Sequence, residues 1–311
     1  MKTFPLTPRF GRVIASIDGE VLRDVPAAVV LDGLRTGAVL LRGFGCQTVK
    51  AVEELTDRLG CKYIVHGMGG RDIRSDDRTV QVVQNRHALC LGLHFERRYF
   101  PGCPDLCCFA YGKAAPFDGD TLLADGAGML RSMRPTTVSF LLAKRALHTD
   151  TQGRERWSGA FGTDDVEKAG RILTEMVARE PRAEIAFRFH GDKLTYSYLT
   201  PSIRTSAFNP AEETFHANII RSVWDYRHDL NDYFKGEFEH PQMFMEDGSD
   251  VPEDIFCELY HLAYDGAYAH RWQEGDVLLV DNSRVMHGRH GPRIGELITR
   301  FGVLPSSGQS S

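Results

Sequence analysis

The sequence predicts a fold that is mainly β with flanking helices (α+β), organised as one strand scaffold with a long helical insertion. Segments typical of strands occur in roughly the first 125 residues and return after residue 272, whereas helical periodicity dominates between about residues 140 and 265. No internal repeat, low-complexity tract or long Pro/Gly/Ser linker marks a domain boundary. We therefore expect a single domain over residues 1–311, with the insertion 140–265 acting as a lid and a disordered tail at 306–311.

The first part of the chain mixes both kinds of element. "PAAVVLDGLRTG" predicts a helix closed by Gly37, "AVLLRGF" a short apolar strand, and "TVKAVEELTDRLG" a helix that ends at Gly60. "RTVQVVQNR" alternates as a strand does, and "DLCCFAYGKAA" is a second apolar strand. "PFDGDTLLAD" is a turn that leads into another strand.

The middle and the end of the chain differ from each other. "DDVEKAGRILTEMVARE" predicts an amphipathic helix, and "AEETFHANIIRSVWDYRHDLNDYF" predicts a longer one. "DVPEDIFCELYHLAYDGA" predicts a third, with Asp250 as its N-cap and Pro252 near the first helical position. Strands at "GDVLLVDN" and "ELITRFGVL" then complete the scaffold, so that its first and last strands can meet in space.

Composition excludes several classes of protein. The chain is 42% hydrophobic and 25% charged, as folded proteins are. Its 37 Lys plus Arg against 42 Asp plus Glu gives a net charge of −5 and no basic field for nucleic acid. The seven cysteines lack paired metal-ligand spacing, and no apolar stretch approaches the ~18 residues of a membrane helix. We expect a cytoplasmic protein that binds neither nucleic acid nor a membrane; its oligomeric state is left open.

The stretch "GLHFERRYF" carries the first candidate site residues. On a strand, His94 and Glu96 share one face, although such a pair is also found buried in cores or at solvated edges. The later segment "DNSRVMHGR" places His287 just beyond an apolar strand. Two imidazoles and one carboxylate on one face of an octahedral Fe(II) leave the opposite face open for a co-substrate and O₂. A barrel or double-sheet jelly roll could bring these strands together.

Together with "LLRGF", "PFDGDTLLAD" and "WQEGDVLLVDN", these motifs resemble the Fe(II)- and 2-oxoglutarate-dependent oxygenases of the taurine dioxygenase-like (TauD/TfdA) superfamily. The His-x-Glu form is closer to the clavaminate synthase and asparagine oxygenase branch. The resemblance implies a double-stranded β-helix, a cupin-like jelly roll, flanked by helices. It also implies that His94, Glu96 and His287 bind Fe(II).

The resemblance further implies a site for 2-oxoglutarate. Thr121 in "DGDT" matches the threonine that contacts this co-substrate, and Arg300 in "LITRFGV" matches the arginine that pairs with its distal carboxylate. Arg293 is the alternative if the strand register slips. Two departures stand out, since Asp118 replaces a glycine common in the family and Glu296 stands where many members have a second arginine.

Four further residues are candidates for binding the substrate, although each is also a common type of structural residue. They are Gln84, Asn85, Arg98 and Arg289. Gln84 and Asn85 precede the first ligand segment, and Arg98 shares the face of His94 and Glu96 if the strand continues.

The implied reaction oxidises an unactivated C–H bond of a small molecule, with hydroxylation as the first expectation and release of succinate and CO₂. The substrate would be an amino acid, a peptide derivative or a secondary metabolite. The same cofactors support desaturation, epoxidation and cyclisation, whereas a carboxylate ligand at Glu96 argues against halogenation. The rivals are a zinc hydrolase with the same three ligands, for which "DGDT" and Arg300 have no natural role, and a non-catalytic binding protein.

Overall fold

The structure is a computed structural model that describes residues 1–46, 48–64, 72–73, 79–82, 91–113, 119–222, 242–291 and 296–305. Its helices are α1 Ala27–Leu34, α2 Val49–Asp57, α3 Gly126–Ser132, α4 Pro135–Ala143, α5 Arg154–Phe161, α6 Val166–Ala178 and α7 Glu253–Asp265, with a 3-10 turn at Leu22–Asp24. Its strands are β1 Lys2–Pro5, β2 Arg12–Ala15, β3 Ala38–Arg42, β4 Lys62–Tyr63, β5 Asp72–Ile73, β6 Thr79–Val82, β7 Leu91–His94, β8 Leu106–Lys113, β9 Asp120–Asp125, β10 Ala146–Gly153, β11 Glu184–His190, β12 Lys193–Thr200, β13 Ile203–Thr205, β14 Glu213–Phe215, β15 Gln242–Met245, β16 Tyr268–His270, β17 Val277–Asp281, β18 Val285–His290 and β19 Glu296–Val303.

Two sheets form the scaffold. The major sheet has the order β1-β2-β3-β17-β8-β19-β6-β5 with β4 on β19, and the minor sheet has the order β16-β9-β18-β7. They pack against each other through an inner core to which β17 contributes Leu278 and Val280, β8 contributes Phe109 and β9 contributes Leu123. The predicted mainly β jelly roll with flanking helices is confirmed, and it brings early and late parts of the chain into one sheet.

Helices cover the outer faces of both sheets. Because successive residues of a strand point to opposite sides, Val277 and Leu279 face away from the inner core and pack with α1 and α2. On the other side, α3 and α7 cover the minor sheet, where Met129 and Leu259 pack near Met286. Both sheets are therefore buried on two faces around the strands that carry the candidate site.

The insertion contains more strand than the sequence predicted. Strands β11-β12-β10-β15 form a further sheet, and α5 and α6 pack on it through Trp157, Leu173 and Leu194. Within the helix predicted over residues 211–234, β14 forms instead and pairs with β13. The Thr214 hydroxyl donates to the Ser283 carbonyl at 2.6 Å, so contacts with the scaffold override local helical propensity.

Most other predicted elements are present. The third predicted helix is α7, although Pro252 rather than Asp250 occupies its N-cap position. The helices ending near Gly37 and Gly60 correspond to α1 and α2, and both glycines have positive φ. The predicted tail at 306–311 lies outside the described residues, and the lid role of the insertion stays a prediction.

In the part of the chain that the structure describes, no helix is both long enough and apolar enough to cross a membrane.

Candidate metal centre

Three candidate ligands converge on the inner side of the minor sheet. His94 ends β7, Glu96 lies in the following turn, and His287 lies opposite His94 in the antiparallel pairing of β18 with β7. The Glu96 Oε2 atom is 3.8 Å from Nε2 of His94 and 3.5 Å from Nε2 of His287. All three side chains are buried, and one ligand atom from each lies within 4.8 Å of the others. Among the described residues this is the one such group.

The donor set fits a divalent cation. Nδ1 of His94 lies 2.8 Å from the Gly92 carbonyl, which can only accept, so Nδ1 carries the proton and Nε2 presents its lone pair beside Glu96. Burial, with a smaller effect of the Arg221 charge, lowers the pKa of His94 to about 4. A neutral imidazole at His94 and a carboxylate at Glu96 are both ligand types that a divalent metal ion accepts.

Glu96 reaches this position by a turn rather than by a continued strand. The strand ends at His94, and Arg97 has a φ of 58°, in the left-handed region. The Glu96 N–H donates to Oδ1 of Asn282 at 2.8 Å, and Nδ2 of Asn282 donates back to the Glu96 carbonyl at 3.2 Å. Asn218 makes the same pair of bonds to Phe95, at 2.7 and 3.0 Å. The two side-chain amides thus bind the main chain of the two residues that follow edge strand β7, in the way that a neighbouring strand would.

Asn282 is therefore expected to position the carboxylate ligand. Replacing it with alanine should weaken Mn(II) binding about 10–100-fold, because the Glu96 main chain loses both anchors. Isothermal titration of the folded variant with Mn(II) measures this. Asn218→Ala is the matched control, since it releases Phe95 and should change the affinity less. Equal Mn(II) affinity in Asn282→Ala and the wild type would contradict the positioning role.

Thr121 and Arg289 lie next to the triad. In the pairing of β18 with β9, Arg289 is opposite Thr121 and His287 is opposite Leu123, so both pairs share the inner face. Both side chains are buried. The Thr121 hydroxyl accepts a bond from Nε1 of Trp272 at 2.9 Å, and Nε of Arg289 donates to the Gly291 carbonyl at 2.8 Å. The Thr121 hydroxyl and the Arg289 guanidinium thus belong to the cross-strand pair next to His287 on the same face of the sheet.

Arg300 does not lie with this group. Ile298 of the same strand packs in the outer core and Phe301 packs in the inner core, so Arg300 projects towards the helices. Its Nη1 donates to the Thr56 hydroxyl and to the Asp57 carboxylate of α2, each at 2.6 Å. This placement does not support the expectation that Arg300 pairs with a co-substrate carboxylate. The physical reason is strand alternation. Thr299 and Phe301, the neighbours of Arg300 on β19, point to the inner face, so Arg300 points to the outer one.

The alternative anchor Arg293 and the substrate candidates Gln84 and Asn85 lie outside the described residues.

Arg98 also departs from its predicted position. Its guanidinium is fully buried, donates from Nε to the His216 carbonyl at 3.0 Å and from Nη2 to the Pro201 carbonyl at 2.9 Å, and forms a salt bridge with Glu180. The prediction that Arg98 faces the site assumed a continuous strand, and these contacts do not support it. The turn at Arg97 directs this side chain towards the insertion instead.

Sequence reasoning missed the two asparagines that hold the ligand segment. Asn282 belongs to the stretch "DNSRVMHGR" that drew attention to His287, so its position close before a candidate ligand was a usable signal. Asn218 has no such signal, because its partner Phe95 is far away in sequence and the pairing is a product of the fold.

Comparisons with known proteins agree with this architecture. The family model described as "Taurine catabolism dioxygenase TauD, TfdA family" matches residues 2–295. PvcB, described as an Fe, alpha-ketoglutarate dependent oxygenase from an isonitrile synthetic pathway, is 15% identical with a TM-score of 0.59, over 97% of this chain and 91% of that one. A taurine dioxygenase from Burkholderia xenovorans is 14% identical with a TM-score of 0.61, over 98% and 89%.

A third solved structure, AAD-2 in complex with Mn(II) and N-oxalylglycine, is 14% identical with a TM-score of 0.58, over 98% of both chains. At these identities the structures show a shared fold. No curated protein sequence gives a significant match. Because the family model covers nearly the whole chain, the chain belongs to the taurine catabolism dioxygenase TauD, TfdA family.

Proposed function

We propose that this dioxygenase uses Fe(II), 2-oxoglutarate and O₂ to oxidise a C–H bond of a small molecule, with hydroxylation as the outcome. The observation that carries the proposal is the convergence of His94, Glu96 and His287, whose ligand atoms lie within 4.8 Å of one another in a buried site. The same cofactors in PvcB, and Mn(II) with N-oxalylglycine in AAD-2, support it. An amino acid, peptide derivative or secondary metabolite is the substrate class that suits such a site.

His94, Glu96 and His287 would hold the iron. When bound, the iron and 2-oxoglutarate supply the O₂-dependent oxidation of the substrate, with release of succinate and CO₂. The carbonyl of Gly92 orients His94, and Asn282 holds the Glu96 main chain. The Phe109 ring lies 5.1 Å from the His287 ring, so an apolar wall limits the access of water on this side.

Thr121 and Arg289 are the described residues best placed to bind 2-oxoglutarate. They face each other across β9 and β18, on the side that carries His287. The guanidinium fork can hold a carboxylate through two parallel bonds and stays charged at all working pH values. The Trp272 indole holds the Thr121 side chain through its hydroxyl oxygen, and the hydroxyl proton can be donated to a carboxylate oxygen.

An anaerobic titration tests the function. Visible absorption of the metal-free protein is recorded as Fe(II) and then 2-oxoglutarate are added, with Glu96→Ala as the control. We expect a charge-transfer band that needs both additions and that is lost or much weaker in the variant, because one of three metal ligands is removed.

If the folded wild-type protein shows no band, the iron and 2-oxoglutarate proposal fails. Hydrolase activity of the zinc-loaded protein would then favour the rival function of the same three ligands.

A further inference from the structure

Strand β11 is an edge of the insertion sheet, whose order is β11-β12-β10-β15. It has seven residues, whereas the other edge strands that the structure describes have two to four. None of its seven side chains is buried, and the strand contains no proline, lysine or bulge. A long and regular edge without these protections is a template for pairing with another strand.

The hairpin of β11 with β12 determines which main-chain groups face outwards from this edge. A two-residue turn, 191–192, joins the two strands. The residues that flank such a turn, His190 and Lys193, exchange main-chain hydrogen bonds, and hydrogen-bonded pairs then recur at every second residue of β11. The N–H and C=O groups that point away from β12 are therefore those of Ile185, Phe187 and Phe189.

These three residues are spaced to pair with the same strand of a second copy of the chain. Phe187 is the middle residue of the seven, so an antiparallel pairing centred on it overlaps the whole of both strands. Phe187 then lies opposite Phe187 of the second copy, and Ile185 lies opposite Phe189 in both directions. Each of these is a hydrogen-bonded pair, because the outward main-chain groups of one strand meet the outward groups of the other.

The charged side chains of β11 are complementary in this register. Glu184 lies opposite His190 of the second copy, whose imidazole N–H can donate to the carboxylate, and Arg188 lies opposite the small Ala186. Like charges are not brought directly opposite each other. Oε1 of Glu184 accepts from Nη1 of Arg145 at 2.8 Å, yet the Glu184 side chain stays 67% exposed and has a second oxygen to offer.

An exposed apolar surface borders the same edge on the side covered by α6. The Phe187 side chain is 36% exposed and lies against Phe189, with 6.0 Å between the ring centres. A methyl group built on Gly170 of α6 would lie 3.5 Å from the Phe187 ring. Val166, one helical turn before Gly170, is 42% exposed. Pairing through β11 would bring the two Phe187 rings together and reduce the exposure of this surface.

We propose that β11 is the interface of a homodimer, in which two copies pair edge to edge, antiparallel and centred on Phe187. The insertion sheets of the two copies would then form one continuous sheet, with α6 of each copy on the same side of it. Main-chain hydrogen bonds supply the affinity, and the pairing of Glu184 with His190 fixes the register. The proposed function is not a premise here, because no candidate metal or co-substrate ligand takes part.

Sedimentation velocity of the metal-free protein over the micromolar range tests the dimer. We expect the wild type to sediment as a dimer whose fraction rises with concentration. Phe187→Lys places two ammonium groups opposite each other at the centre and should be monomeric. His190→Glu places two pairs of carboxylates opposite each other and should weaken dimerisation by about tenfold or more. Phe4→Lys, which changes an exposed aromatic residue on edge strand β1, should dimerise as the wild type does.

Mixing two charge variants tests the register itself. Glu184→Lys places a lysine opposite the His190 imidazole and near Arg188, so this variant should also dimerise weakly. When it is mixed with His190→Glu, the introduced lysine of one chain lies opposite the introduced glutamate of the other. The original Glu184 and His190 form the second contact. The mixed dimer should therefore be more stable than either variant's own dimer, which a general loss of folding would not produce.

Hydrogen exchange identifies the residues involved. In the wild type, the amides of Ile185, Phe187 and Phe189 should become protected as the concentration rises, and in His190→Glu they should not. His190 is exposed, so the dilute variant should unfold at the temperature of the dilute wild type. A wild type that stays monomeric throughout the micromolar range would overturn the inference and leave this edge to an extended segment of another protein. A dimer that survives both Phe187→Lys and His190→Glu would overturn it as well, since its interface would lie elsewhere.

Discussion

Removing either member of the buried Arg98–Glu180 ion pair is expected to lower the free energy of unfolding by about 3–5 kcal/mol. Arg98 is completely buried, and its guanidinium contacts Glu180 and the carbonyls of Pro201 and His216. Glu180→Gln would leave a buried cation without its counter-charge. Arg98→Met would leave those carbonyls and the carboxylate without their donor. Neither change touches the metal ligands, so Mn(II) affinity should stay close to that of the wild type.

The pair connects the metal centre to the insertion. Glu180 also accepts bonds from the hydroxyls of Tyr198 and Thr200 on β12, and Arg98 is two residues from Glu96. Burial raises the pKa of Glu180, but the Arg98 charge and the Tyr198 hydrogen bond outweigh it, and the net pKa lies below the ordinary 4.5. A depressed pKa gives stability that is present above pH 4.5 and lost as the pH falls. The difference between the wild type and Glu180→Gln should therefore shrink in acid.

Urea unfolding of Arg98→Met, Glu180→Gln and the double variant measures this coupling. The two losses should sum to more than the loss in the double variant, because the second change removes a charge that the first left unpaired. Wild-type stability of Arg98→Met together with weakened substrate binding would contradict the structural role. That outcome would return Arg98 to the substrate pocket, where strand alternation alone would place it.

The fold could be predicted from the sequence because its strongest signals are local. The apolar run of β17 and the amphipathic helix α6 are each readable within one short segment. Motif context predicts the grouping of His94, Glu96 and His287, and the structure places their side chains together. That they bind iron stays a prediction.

The failures have a common physical origin. Both faces of the major sheet are covered, so β19 has apolar residues on each side, and alternation does not reveal whether Arg300 faces the helices or the other sheet. Arg98 was misplaced because the left-handed turn at Arg97 is unusual for arginine and has no signature in composition. In both cases the strand itself is evident in the sequence, but the direction of a side chain depends on tertiary contacts.

Replacing Arg289 on β18 and replacing Arg300 on β19 should have opposite effects on the affinity for 2-oxoglutarate: a large loss for the first and little change for the second. Arg289→Gln is expected to weaken 2-oxoglutarate binding by about 2–5 kcal/mol, ~30-fold or more, because a buried carboxylate would lose its charged partner. Arg300→Gln should leave that affinity within about threefold. Its main effect should be on stability, through the loss of the bonds to Thr56 and Asp57 and of the stacking on Tyr63, whose ring centre lies 3.9 Å from the guanidinium carbon.

Anaerobic titration of the Fe(II)-loaded variants with 2-oxoglutarate decides between these residues. Thr121→Ala provides an intermediate case, since it removes one neutral hydrogen bond of about 1 kcal/mol. If Arg300→Gln loses 2-oxoglutarate and Arg289→Gln keeps it, the anchor is the residue implied by the family resemblance. The Arg300 side chain would then have to break its contacts with α2 and point to the inner face when the co-substrate binds. That would require β19 to change which of its residues face inwards. The bonds to Thr56 and Asp57 would in that case stabilise only the form without co-substrate, and Thr56→Val should strengthen 2-oxoglutarate binding.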